Sequence, residues 1–184
     1  IERPGGSYTY DTLISLRAKS IIFATGALER PLVFSNNDRP GVKLASAVRT
    51  YLNRFCIAPK KRAVIFTNND SAYQAAFDLA EAGVAVTIAE TRAQPTGDLL
   101  SRAAQLGIAI FPSSRVTDVL GGKEVQAVKI GGHHAVTIEC DVLGMSGGWN
   151  PALHLTSHGG IKPMFDAAIT SFVPGGFAAG QFGA

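Results

Sequence analysis

The residues of this chain that could do chemistry gather in one loop and one acid. Thr67-Asn68-Asn69-Asp70-Ser71-Ala72 follows an apolar run and opens a helical stretch, and Glu90 ends the next apolar run, about 20 residues on. In that setting a G-x-G-x-x-G or G-x-G-x-x-A loop holds a pyrophosphate, because its glycines let the backbone turn tightly and meet the phosphates at a helix N-terminus, while the later acid grips a ribose. Ala72 suits the last position. Thr67 and Asn69 stand where the phosphate-contacting glycines belong. Asn69 can take a positive φ at modest cost, whereas β-branched Thr67 cannot. Asp70 adds a negative charge. Two unit charges about 4 Å apart interact by about 4 kcal/mol at an effective dielectric near 20, more than the hydrogen bond that Glu90 could give a ribose, on the order of 1 kcal/mol. No nucleotide is therefore expected at Thr67, Asn68, Asn69, Asp70 and Glu90. Two readings stay open: a working second dinucleotide site, or a helix that Ser71 or Asp70 merely caps.

The other chemistry-bearing residues form no set. His133-His134 follows a Gly-Gly pair and reads as a solvated hairpin turn. His154 and His158, with Asp166 further on, have no glutamate or cysteine set beside them, so no metal site is expected. No G-x-S-x-G elbow surrounds a serine. The two cysteines, Cys56 and Cys140, make neither a CxxC pair nor a zinc set. No catalytic residue is assigned.

Around these residues the chain carries 46% hydrophobic and 17% charged residues, a formal net charge of +3, and 20 glycines. That excludes a charge-rich stalk or a disordered tail. Basic residues are scattered apart from Lys60-Lys61-Arg62, which speaks against a nucleic-acid surface. Apolar runs such as Ile21-Ile22-Phe23-Ala24 fall far short of the roughly 20 residues that span a bilayer, so a soluble, cytoplasmic protein is expected. The chain opens at Ile1 and stops after Gly180-Gln181-Phe182-Gly183, and it reads as a piece of something longer.

The elements that must position the loop follow from periodicity. Residues 12–17 alternate and 20–24 run apolar, which predicts an exposed and then a buried strand. Residues 30–41, with Pro31, Asn36-Asn37-Asp38, Pro40 and Gly41, predict a connection. A helix is expected over 43–55, where Leu44, Ala45, Val48, Leu52 and Phe55 share a face, with Pro59 as its latest limit. Then come a strand at 63–66, a helix over 71–82 stopped by Gly83, and a strand at 84–89, which is a βαβ unit. A helix over 99–106 leads to a strand at 108–111. Three short segments (115–120, 124–130, 135–138) split by glycine pairs suit an antiparallel meander, and a strand at 141–145 meets Ser146-Gly147-Gly148-Trp149. The fold class is α/β and Rossmann-like, with a meander.

Several strings carry a resemblance. They are Phe23-Ala-Thr-Gly-Ala-Leu-Glu-Arg-Pro-Leu-Val-Phe-Ser-Asn-Asn-Asp-Arg-Pro-Gly41, Leu44-Ala-Ser-Ala-Val-Arg-Thr-Tyr-Leu-Asn-Arg54, Phe66-Thr-Asn-Asn-Asp70 and Ser146-Gly-Gly-Trp-Asn-Pro-Ala152. From about Ala18 to Gly183 the sequence resembles the alpha subunit of heterotetrameric sarcosine oxidase and its relatives, the opine oxidase and cyanide-forming synthase subunits. The resemblance implies an FAD/NAD(P)-binding fold of the two-dinucleotide-domain flavoprotein type. Residues 1–40 and 149–184 would then be parts of a first dinucleotide-binding domain, and 41–148 an inserted second one.

The resemblance further implies an oxidoreductase acting on sarcosine or a related secondary amine. NAD would be bound by the first domain of the full subunit. A flavin-bearing beta subunit and further subunits would be partners in a hetero-oligomer. Thr25 and Gly26 match the turn beside the first cofactor, and Ala179, Gly180 and Gly183 match the turn that closes over it. This chain is expected to be an NAD-binding or scaffolding portion with no cofactor bound on its own and without catalysis. The alternatives are a pure interaction module that docks a flavin-bearing subunit, and an NAD(P)H-dependent flavin reductase, which the missing CxxC disfavours. Since family members share the Thr-Asn-Asn-Asp loop, its lost glycines suggest a second domain kept for architecture.

Overall fold

The computed structural model describes residues 13–59 and 61–176. Its centre is a five-stranded parallel sheet of β2 (Val42–Leu44), β3 (Arg62–Thr67), β4 (Ala85–Glu90), β5 (Ala109–Phe111) and β9 (Val142–Ser146), in the spatial order β2-β9-β3-β4-β5. Helices α1 (Ala45–Phe55), α2 (Tyr73–Glu81) and α3 (Gly97–Gln105) cover one face. The antiparallel meander of β6 (Ser114–Leu120), β7 (Ala127–Gly132) and β8 (Val136–Glu139) covers the other.

Two covered faces explain why the central strands read as nearly unbroken apolar runs. Along β3, Ala63 and Ile65 point into the helical layer, while Val64 and Phe66 point into the meander layer, as a period of two requires. The α1 layer lies close on the sheet because β9 carries Gly144. A Cβ there would come within 2.8 Å of Ile65 Cδ1, with Ala45 and Val48 of α1 close behind.

The expected βαβ unit is present with small boundary shifts. Its helix starts as a 3-10 turn over Asp70–Ala72 before α2, and Gly83 follows its end at φ +83. The chain enters α1 from a strand, β2, where a helix was expected to begin at 43. His133 and His134 lie in the β7–β8 connection, as expected, with the His134 ring edge-on to Phe111 at 5.5 Å.

The flanks differ from the sequence reading. No strand forms over residues 13–24, where Leu13, Ile14, Leu16, Ile21 and Ile22 are exposed. No partner strand lies beside them among the described residues, so alternation and apolarity have nothing to pack against. The first strand is instead β1 (Ala27–Glu29), paired antiparallel with β10 (Trp149–Pro151). After β10 come α4 (His154–His158) and a hairpin of β11 (Pro163–Asp166) and β12 (Ser171–Pro174), which the periodicity did not reveal. Among the described residues no helix is long and apolar enough to cross a membrane.

Candidate functional site

Parallel strands point their carboxyl ends, and the helix N-termini that follow them, into one crevice. In open α/β sheets ligands bind there. Here the crevice runs past the ends of β3, β4 and β9, and Thr67, Asn68, Asn69, Asp70 and Glu90 all lie on its rim or floor.

Thr67 is fully buried. Its Oγ1 donates to the Asn69 carbonyl at 3.0 Å and accepts the Asn69 amide at 3.1 Å. That local ring holds Asn69 extended, at φ −148, so the positive φ that a glycine would supply is not used. Asn69 works in two directions. Its Oδ1 accepts the Ser71 amide at 3.1 Å and the Ser71 hydroxyl at 2.6 Å, which caps the 3-10 turn. Its Nδ2 donates across the crevice to the Ser146 carbonyl at 3.2 Å and to Ser146 Oγ at 3.1 Å. The ends of β3 and β9 are thereby stapled where a pyrophosphate would pass. Trp149 Nε1 adds a second tie, donating to Ser71 Oγ at 2.8 Å. Asn68 is exposed and its Oδ1 accepts the Asn69 side-chain amide at 3.1 Å.

The cap is thus Asn69, which corrects the expectation that Ser71 or Asp70 fills that role. Asp70 points instead at the chain after β4. Its carboxylate accepts Thr96 Oγ1 at 2.7 Å and lies 2.6 Å from Arg92 Nη1. Burial alone would push this carboxyl up, but the Thr96 hydroxyl and the Arg92 guanidinium more than reverse that and hold it below the usual range. The charge of Asp70 is thus met by Thr96 and Arg92 within the protein.

Glu90 is 0% exposed. Its Oε1 accepts Arg92 Nε at 3.1 Å and the Arg92 amide at 2.9 Å, and its Oε2 accepts Arg92 Nη2 at 2.8 Å and the Tyr73 hydroxyl at 3.1 Å. This is a two-pronged guanidinium–carboxylate pair, the strong form of such a contact. Burial, and then the charge of Glu90, raise the Tyr73 hydroxyl well above its ordinary value. The hydrogen bonds that it donates to Glu90 raise Arg92 against the effect of its partial burial. One guanidinium serves two carboxylates.

Arg92, Tyr73, Thr96 and Ser146 were not singled out by the sequence reading. Arg92 was the most accessible of them, since an arginine two residues after a strand-end acid can fold back on it.

At the first site only part of the expected set falls within the described residues. Thr25 Oγ1 donates to the Ala152 carbonyl at 3.1 Å, and Gly26, at φ +66, accepts the Ala152 amide at 3.0 Å. The turn is stitched to the exit of β10. Ala179, Gly180 and Gly183 lie outside the described residues. His154 and His158 stand at the two ends of α4, and the Asp166 carboxylate accepts the Ala168 amide. No group of metal-ligating side chains occurs among the described residues. Cys56 is exposed and Cys140 buried, where burial pushes the Cys140 thiol up to about 12.

No protein-family model matches the chain. Sarcosine oxidase subunit alpha from Rhizobium meliloti (strain 1021) is 38% identical over 180 residues, which is 96% of this chain and 18% of the relative. The subunit of the same name from Corynebacterium sp. (strain P-1) is 36% identical over 186 residues, again 96% of this chain and 19% of the relative. The chain therefore spans about a fifth of the length of the curated relatives that it matches.

Among solved structures, T. acidophilum thioredoxin reductase superimposes with a TM-score of 0.66 at 21% identity, covering 86% of this chain and 57% of that one. A ferredoxin reductase from Rhodopseudomonas palustris does so at 0.59 and 21%, covering 76% and 37%. These likenesses show the fold. Over nearly its whole length, the chain is a relative of one segment of the sarcosine oxidase alpha subunit, built on a Rossmann-like α/β fold that it shares with these two reductases.

Proposed function

We propose that this chain is an NAD-binding and scaffolding portion of an amine-oxidising, cytoplasmic alpha-type subunit, and that its own second nucleotide crevice has been converted into a structural joint. The observation that carries this reading is the pair of substitutions for a ligand. Asn69 bridges β3 to Ser146 where the pyrophosphate would lie, and Glu90 is turned inward onto Arg92 and Tyr73 where the ribose would lie. Residues 41–148 form the joint, and residues 1–40 and 149–184 belong to the first dinucleotide-binding domain. NAD in the longer subunit would be held beside Thr25 and Gly26, with Ala179, Gly180 and Gly183 completing that site. The flavin and the amine chemistry would sit with a flavin-bearing partner in the hetero-oligomer.

Titration calorimetry with NAD tests the crevice. The unmodified chain should give no binding heat at the loop. A variant combining Thr67→Gly, Asn69→Gly and Asp70→Asn should gain binding, since it removes the staple to Ser146 and frees Arg92 from one of its two carboxylates. Tight binding by the unmodified chain that disappears with Glu90→Gln would overturn the reading. Oxygen consumption with sarcosine, free of any partner, is expected to be absent.

A further inference from the structure

The β1–β10 ribbon carries the flanks on the Rossmann-like unit. The two strands pair over three rungs, and the last of these sets Glu29 opposite Trp149. Beyond it the Arg30 amide donates to the Gly148 carbonyl at 2.8 Å, and the Gly147 amide donates to the Arg30 carbonyl at 2.7 Å. The strands can close this far because residues 147 and 148 are glycines. A Cβ at 147 would come within 3.1 Å of the Pro31 carbonyl oxygen, and one at 148 within 2.9 Å of Arg30 Nη2, at a φ of +93. A two-stranded ribbon is marginal by itself, and a connection of few residues is where domains commonly turn against each other.

Here the last rung is held on both sides. β10 continues from β9, whose sheet neighbours are β2 and β3, and the two residues of the rung reach the helical turns that follow those neighbours. Glu29 Oε2 accepts the Ser46 amide, in the first turn of α1, at 2.9 Å. Trp149 Nε1 donates to Ser71 Oγ at 2.8 Å, and that hydroxyl in turn donates to Asn69 Oδ1 at 2.6 Å.

The α1 sequence explains why this helix takes a remote acid. Leu44 at its N-cap offers no side-chain acceptor, and its first turn holds no acidic residue. An amide of that turn and the positive end of the helix dipole are met instead by a carboxylate 17 residues upstream.

β2 and β3 flank β9, so the two attachment points stand about 10 Å apart. A single contact would leave the ribbon a pivot. Two contacts on opposite sides of its axis fix its angle. We infer that Glu29 and Trp149 form a two-point latch that makes the β1–β10 ribbon a strut, holding the flanks in one orientation on the unit. At its far end the ribbon carries the Thr25-Gly26 turn, stitched to Ala152, so the latch also sets where that turn stands relative to the crevice.

Pulsed electron paramagnetic resonance on this chain tests the latch. One spin label goes on Cys56, exposed at the end of α1 while Cys140 is buried, and a second on the thiol introduced by Ser157→Cys at an exposed position of α4. With the latch intact the two labels should give one narrow distance distribution. Glu29→Ala or Ser71→Ala alone should widen it at least twofold, since one remaining contact is a pivot, and the two together no less. These variants should keep a cooperative melting transition, because neither residue belongs to the buried core. Amide exchange gives a second readout. Ser71 bonds neither Glu29 nor Ser46, yet Ser71→Ala should speed exchange of the Ser46 amide at least threefold, because a latch released on one side frees the other. A broad distribution with the latch intact would overturn the inference before any latch residue is changed. So would a distribution that stays narrow in the double variant, or a Ser46 exchange rate that Ser71→Ala leaves unchanged, since either would mean that the orientation is held elsewhere.

Discussion

The β3–α2–β4 unit and the flanks at 13–40 and 149–176 all carry many apolar residues, yet they use them differently. In the unit Ile65, Leu79 and Ile88 are 0% exposed, whereas in the flanks Ile22 and Val33 are 93% and 92% exposed. The unit is surrounded by every layer it needs, with helices on one face, the meander on the other, and β4 and β9 on the two sides of β3. The described flanks hold the short helix α4 and two two-stranded ribbons, β1–β10 and β11–β12, and such ribbons have too little sheet to bury a face. Apolar residues make a core only where a second layer is within reach.

The sharpest way to break this contrast is to cut the buried network in the unit. Glu90→Ala leaves Arg92 and the Tyr73 hydroxyl without their shared acceptor inside the α2–β4 interface. Arg92 keeps Asp70 as a partner, so the cost is that of losing a charged hydrogen-bond acceptor, about 1.5–3 kcal/mol, and at this chain length each kcal/mol lowers the melting temperature by about 2–4 °C. Thermal denaturation should therefore show a drop of about 3–12 °C. If Glu90 instead served a ribose, its loss would leave the melting temperature unchanged and reduce nucleotide binding.

That experiment bears on what could be read from the residues beforehand. Strand, helix and strand in the unit followed from unbroken apolar runs and from Gly83, because both faces of the sheet are buried and local pattern agrees with tertiary need. The missing glycines of the loop were equally plain. What filled their place was not, since Asn69 reaches Ser146 across 77 residues of sequence, and no local periodicity encodes that contact. The strands expected over 12–17 and 20–24 fail for a related reason. A strand exists only with a partner, and alternation at Leu13, Ser15 and Arg17 does not name one.

A smaller effect should come from the joint between α1 and α2. The Asp78 carboxylate accepts Arg49 Nε at 2.6 Å, Asn53 Nδ2 at 2.7 Å and Gln74 Nε2 at 2.6 Å. Burial would raise this carboxyl, but the Arg49, Asn53 and Gln74 hydrogen bonds outweigh it and hold it below its ordinary value. A depressed folded-state pKa stabilises above the unfolded value, near 4, and that stability is lost as pH falls through the folded one. Asp78→Asn should thus cost about 1–2 kcal/mol at pH 7 and flatten the acid limb of stability below about pH 4. Denaturant titrations across pH 2–7 would show both. An unchanged acid limb would mean that the three donors do not act on Asp78 in solution.

The smallest effect on stability should come from the flank, and it completes the contrast. Leu16 and Ile22 are 85% and 93% exposed, so removing their side chains takes almost nothing from the core. Leu16→Ser with Ile22→Ser should stay within about 0.5 kcal/mol of the unmodified chain. The same pair should lower the binding of a hydrophobic dye, because contiguous exposed apolar surface is what such dyes report. The two measurements answer separate questions. A loss of 2 kcal/mol or more would mean that these side chains are packed in the folded chain, since fully burying one such side chain contributes about 1.5–3 kcal/mol, and the boundary between a self-sufficient unit and an uncovered flank would then be drawn in the wrong place. An unchanged dye signal with unchanged stability would place the exposed apolar surface elsewhere, on Phe165 and Phe172 of the β11–β12 hairpin, whose rings lie 5.5 Å apart at 60% and 55% exposure.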